Sequence, residues 1–240
     1  MVMQIAQDAL SLAAELLQNR DYNRAEELVQ CRLVENPHDA DALHLLGVLA
    51  RNTGRLNFSA EVLRQAVRLN GDMPAYHFDL ALTVNRLDQL ELALWHFRRA
   101  IELKPDYQDA AVNVGTLLHR FDRLEEARRW FERAVELDPR CSIARYNLGN
   151  IWQALGRLDE AKQWYTSAIE LEPQFAKAHW NKALCHLLSG EFADGWREFA
   201  WRRTAGEVTI DNYTQPLWRG EPLSDKTILV HAEQGVGDEI

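Results

Sequence analysis

The chain has 240 residues, 47% of them apolar, which is enough for one or two ordinary domains with a sizeable core. Twenty-seven Lys and Arg stand against 36 Asp and Glu, a formal charge of -9, so phosphate backbones are repelled and nucleic acid is not an expected partner. Cys31, Cys141 and Cys185 lie far apart without metal-ligand spacing, and no apolar run reaches the roughly 18 residues of a membrane span.

Along the chain, helix breakers recur in one phase. Pro37, Gly71, Pro105, Pro139 and Pro173 follow one another in steps of 34 residues. Each interval has room for two antiparallel helices with apolar residues at helical spacing. The first unit, 6–39, is degenerate, with Val29 and Arg32 where an aromatic residue and an alanine recur later. Unit 40–73 carries Gly47, a turn at Gly54, then Ser59, Leu63 and Ala66. Unit 74–107 opens on Pro74, which suits a first helical turn, and carries Ala81, Asp88, Ala93, Phe97 and Ala100. Units 108–141 and 142–175 repeat the series as Gly115, Asp122, Ala127, Phe131, Ala134 and as Gly149, Gly156, Ala161, Tyr165, Ala168. The last unit, 176–209, keeps Ala183 and Gly190 but has Arg202 in place of the second alanine and no proline at 207.

Glycine inside a helix costs about 1 kcal/mol relative to alanine. Three such glycines in register imply that closeness between helices returns the cost. The small residues are therefore expected to face a partner helix, with the alanines of the second helix as the matching surface and the large residue filling the groove between neighbouring units.

Small residue, alanine, aromatic, alanine and proline, in order and in register over residues 6–203, resemble the tetratricopeptide repeat family. The resemblance implies an all-α fold: a right-handed α-solenoid of about six stacked helix pairs, whose first helices form the inner wall. Degenerate end units suit an array whose ends face water. On that wall the expected partner-binding residues are Phe78, Asp79, Asn113, Thr116, Tyr146, Asn147, Asn150, Trp180 and Asn181. An amide offers two donors and an acceptor, so it grips a peptide backbone without reading its sequence. Similar asparagine rows line the repeat domains of protein O-glycosyltransferases. The alternative is that these asparagines bond neighbouring backbone and stabilise the stack, and the two roles are compatible. Repeats that clamp chaperone carboxylates resemble one another in first-helix lysines; the matching sites here are Leu10, His44, Phe78, Val112, Tyr146 and Trp180.

No catalytic constellation stands out in residues 1–203. His179 and His186 share a helix face without completing a metal set, and Glu125/Glu126 and Asp159/Glu160 open helices, where they suit the dipole. No metal and no cofactor is expected. The expected function is a scaffold that binds a protein or peptide in the inner groove. Trp180, Trp196 and Trp201 mark an end face suited to self-association. The N-terminus lacks a leader pattern, so the expected compartment is the cytoplasm, with no membrane partner.

After Arg203 the pattern breaks. Residues 204–224 read as a linker, and Thr227–Ala232 as a short strand followed by Gly235, Gly237 and Asp238. Gly195–Phe199, Gln215–Leu223 and this strand-loop resemble bacterial proteins that join tetratricopeptide repeats to a heptosyltransferase-like glycosyltransferase domain. That resemblance implies an acceptor-recruiting front part of an enzyme, a nucleotide-sugar donor, and Asp238 as the acceptor's base. Residues 225–240 are then the truncated start of an α/β domain, or else a disordered tail. No catalysis is expected from these 240 residues alone.

Overall fold

The computed structural model describes residues 2–206. The rest of the linker, the strand expected over 227–232, and Gly235, Gly237 and Asp238 lie outside them. Among the described residues the chain forms twelve α-helices and one 3-10 turn, with no strand. They are α1 (Val2–Gln18), α2 (Tyr22–Glu35), α3 (Ala40–Asn52), α4 (Leu56–Leu69), α5 (Pro74–Arg86), α6 (Leu90–Leu103), α7 (Gln108–Arg120) and α8 (Leu124–Leu137). There follow α9 (Ser142–Ala154), α10 (Leu158–Leu171), α11 (Ala176–Leu188), α12 (Phe192–Phe199) and the turn Ala200–Arg202.

The helix boundaries follow from local chemistry. Asn36, Asn70, Lys104, Asp138 and Glu172 each close a second helix in extended geometry, with φ between -134 and -145. Four of them precede a proline, which disfavours the helical region for the residue before it. Asp39 caps α3 by accepting from the Ala42 amide at 3.1 Å, and Pro74 occupies the first turn of α5.

The turns inside the pairs use left-handed backbone at six positions in one phase: Arg20, Gly54, Asp88, Asp122, Gly156 and Gly190, with φ from 58 to 81. The glycines and aspartates stand where the sequence places them; Arg20 is the one that composition hides. A side chain there carries a steric penalty that glycine lacks. Asp122→Gly is therefore expected to raise stability by about 0.5–1 kcal/mol, read as a higher Tm. An unchanged or lower Tm contradicts that reading of the turn.

The described helices form two compact units, α1 to α8 up to Pro139 and α9 to α12 from Arg140 on. In the first, α1 to α8 form four antiparallel pairs; α3 packs on α4, and also touches α1 and α5, the first helices of the neighbouring pairs. In the second, α9/α10 and α11/α12 repeat the arrangement, and α9 touches α11. Leu63, Phe97, Phe131 and Tyr165 are all fully buried, as are Ala66, Ala100, Ala134 and Ala168. Leu63, Phe131 and Tyr165 lie against the glycine of their own pair, whereas the sequence places them in the groove between units. A Cβ added at Gly115 falls 2.7 Å from the Phe131 ring, so the bare backbone is what admits the ring. Ser59 fills an alanine position with a buried hydroxyl, which donates to the Gly47 carbonyl at 2.7 Å.

The end pairs differ from the inner ones in these positions. Val29 is fully buried in its aromatic slot, and Arg32 turns outward to Asp39 at 2.6 Å. In the last pair the second helix is cut to 8 residues, and the 3-10 turn carries Arg202 where the second alanine recurs.

Candidate functional site

The candidate residues stand on the first helices. In the unit ending at Pro139, Phe78 on α5 is half-buried. Its ring stacks on Tyr107 at 4.8 Å and meets Phe97 edge-on at 5.6 Å. Asn113 and Thr116 on α7 bond their own helix: Asn113 Nδ2 donates to the Asp109 carbonyl at 2.8 Å, and Thr116 Oγ1 to the Val112 carbonyl at 2.9 Å. Thr116 is exposed. Such bonds are local, so these two side chains remain available to a partner at small cost.

Asp79 is differently placed. Its carboxylate pairs with Arg51 Nη1 at 2.7 Å and with His44 Nε2 at 2.6 Å, both on α3. Arg51 also donates to the Asp79 carbonyl at 3.0 Å. The His44 ring stacks on Tyr76 at 4.7 Å, and the Tyr76 hydroxyl donates to Asp41. Burial pushes the Asp79 carboxyl up, but the His44 hydrogen bond and the Arg51 guanidinium more than reverse this. Its pKa lies below the usual carboxylate range. Asp79 thus joins α5 to α3, which is the stacking role.

In the second unit the amides knit together. Asn181 Nδ2 on α11 donates to Asn150 Oδ1 at 2.9 Å and to the Tyr146 hydroxyl at 3.2 Å, both on α9. Asn150 Nδ2 reaches Asn147 Oδ1 at 3.3 Å, and the Tyr165 hydroxyl lies 2.8 Å from Asn150 Oδ1 and 2.6 Å from Gln153 Oε1. Burial raises the Tyr165 hydroxyl pKa, so it stays a neutral donor. Tyr146 also packs on Phe175 at 4.9 Å, and Trp180 on Phe199 at 5.0 Å. Of the tryptophans expected at an end face, Trp196 is 59% exposed, whereas Trp201 stacks flat on His179 at 4.1 Å.

Sequence reading missed a rule that links these contacts. Asp41–Tyr76, His44–Asp79 and Tyr146–Asn181 bond at a separation of 35 residues, one repeat plus one. Arg86 Nη1, donating to the Arg51 carbonyl at 3.3 Å, follows the same rule. Complementary polar residues at that offset are the signal that marks inter-repeat bonds. His179 and His186, seven apart, go separate ways, to Glu198 and Glu191, both at 2.5 Å. Among the described residues no group of three His, Cys, Asp or Glu comes together as a metal site, and no helix is long and apolar enough to cross a membrane.

Several solved structures share this fold. MamA is 23% identical, with 69% of this chain and 96% of that chain aligned and a TM-score of 0.62. YrrB, described as a tetratricopeptide repeat protein with an unusual peptide-binding site, is 23% identical over 71% of this chain and 88% of its own, with a TM-score of 0.61. PilF of Pseudomonas aeruginosa is 15% identical over 85% and 93%, with a TM-score of 0.76. Comparison with curated proteins finds no significant match. The sequence profile described as Tetratricopeptide repeat matches residues 10–74, 78–140, 115–174 and 154–195. Matched over most of its length, with Gly47, Gly115 and Gly149 each meeting the large residue of its own helix pair, the chain belongs to the tetratricopeptide repeat family.

Proposed function

We propose that the chain is a protein-interaction scaffold and that its first helices take an extended segment of a protein partner. The observation that supports this most is the contrast on α7. Asn113 and Thr116 donate to carbonyls of their own helix, and among the described residues neither bonds a neighbouring repeat. Exposed or half-exposed polar groups set among apolar ones suit a peptide that brings its own backbone donors and acceptors. Asp79, Asn150 and Asn181 serve the stack and hold that wall in place.

A photo-crosslinking residue at Thr116 tests the reading against one at Arg129, an exposed site on α8. Crosslinks to protein in lysate of the source cells are expected at position 116 and not at 129. Asn113→Ala/Thr116→Ala should then reduce capture at least several-fold while Tm stays within the roughly 0.5 kcal/mol expected of surface substitutions. Equal crosslinking at both positions, or a large fall in Tm with unchanged capture, overturns the assignment.

The cytoplasm is the compartment we assign, from an odd number of cysteines, Cys31, Cys141 and Cys185, scattered in the sequence without a disulfide-framework spacing. The second reading, an acceptor-recruiting front part of a glycosyltransferase with Asp238 as base, rests on the sequence of residues 195–240. Coding sequence that continues in frame into alternating strands and helices supports it, and a stop codon removes it.

A further inference from the structure

His77 on α5 and His96 on α6 face each other inside the third helix pair. Both are buried, 3% and 7% exposed, with their Nδ1 atoms 2.9 Å apart. His77 Nε2 lies 3.1 Å from the Gly71 carbonyl, which has no proton to give, so His77 is the Nε2–H tautomer. Its Nδ1 is then an acceptor, and His96 must supply the single proton between the rings.

Trp95 closes the site edge-on, 4.7 Å from the His96 ring. The charged groups around the pair are Arg64 on α4, Asp72 in the turn before α5, and Arg99 and Glu102 on α6. Arg99 pairs with Glu102 at 3.0 Å and reaches Asp72 at 3.9 Å. Among the described residues neither imidazole has a carboxylate partner. Three repeats later the same positions hold His179 and Glu198. There His179 Nε2 faces the Pro173 carbonyl at 3.0 Å and Nδ1 faces a carboxylate at 2.5 Å, so both ring nitrogens meet acceptors.

We propose that the His77–His96 pair is an acid-sensitive latch that holds the α5–α6 seam closed through one shared proton. A second proton puts N–H against N–H, or a charge where no acceptor stands, and the seam loosens. At the equivalent seam both nitrogens of His179 face acceptors, so an added proton has a partner there. Phe78 and Asp79 ride on the same helix as His77, so the latch would also regulate the inner wall, a consequence that rests on the proposed partner surface.

Hydrogen exchange of the full chain tests the latch without any partner. Burial, with His77 and Arg64 adding to it, lowers the His96 pKa from 6.5 to about 4. From that shift alone, the opening equilibrium of amides in 74–103 should rise roughly 70-fold between pH 7.5 and 4.5, with a smaller change in 176–199. His77→Leu/His96→Val, which copies Leu43 and Val62 of the preceding repeat, should abolish the difference between the two seams. Parallel pH profiles in wild type and variant overturn the proposal. If the variant does not fold, ring NMR of wild-type His96 decides: a ring still neutral at pH 5.5 supports the latch, and titration at the ordinary imidazole value of about 6.5 refutes it.

Discussion

Gly115→Val should destabilise the chain by about 3 kcal/mol, the upper end of the cost of overpacking a filled interior. The reason is local. A Cβ at 115 already falls 2.7 Å from Cε1 of Phe131 and 2.9 Å from Cδ1 and Cζ, and valine adds two methyl groups beyond it. Phe131 is fully buried, as are Ala127 and Ala134 on the same helix, so the ring has no exposed side to turn to. The third pair carries an alanine at the same repeat position, Ala81, and a phenylalanine, Phe97, both fully buried, so this position admits a Cβ in another pair. Equilibrium unfolding in urea measures the cost. A loss under about 0.5 kcal/mol, the range of ordinary surface substitutions, contradicts close approach at this seam.

Arg51→Met is the second large effect, expected to cost about 1–3 kcal/mol because it leaves a half-buried carboxylate with His44 as its remaining partner. Arg51 Nη1 holds both the Asp79 side chain at 2.7 Å and its backbone carbonyl at 3.0 Å. Asp79→Leu, which places at 79 the residue found at 45, should recover much of the loss when combined with Arg51→Met. An Arg51→Met protein as stable as wild type places the ion pair outside the stacking forces. The pH dependence has two separate windows. Asp79 has a depressed pKa when folded, so its contribution is complete above the ordinary carboxylate pKa of 3.8 and is lost only as pH falls below that. His96 is also depressed, but a neutral histidine is the stable form. Its contribution is therefore complete above pH 6.5 and declines as pH falls toward about 4. Acid should weaken the histidine seam first and the Asp79 bridge later.

Much of the fold was legible because helix geometry and close packing both leave periodic marks. Breakers every 34 residues set the helix ends, and Gly47, Gly115 and Gly149 have no reason to sit mid-helix except contact. Arg20 was not legible as a left-handed turn residue, since its composition points elsewhere and only its phase with Gly54 betrays it. The wall residues were legible as a set but not by role. Asn113 and Asn181 occupy the same repeat position. One bonds its own helix, and the other bonds the preceding repeat because Asn150 and Tyr146 happen to offer acceptors there. That difference depends on neighbours 31 and 35 residues away, which no local pattern encodes. The His77–His96 pair escaped for the same reason: each histidine alone is unremarkable, and only the seam makes them partners.

The pairing of bare backbone with a buried ring is tested most directly by a double-mutant cycle on Gly115 and Phe131. Phe131→Ala alone should cost about 3–5 kcal/mol through the cavity it leaves. If the two positions share one space, valine at 115 fills part of that cavity, and Gly115→Val/Phe131→Ala should be more stable than the sum of the single losses by at least about 1 kcal/mol. Strict additivity of the two losses would show that residue 115 and the ring do not meet, and the stacking scheme built on that contact would be wrong.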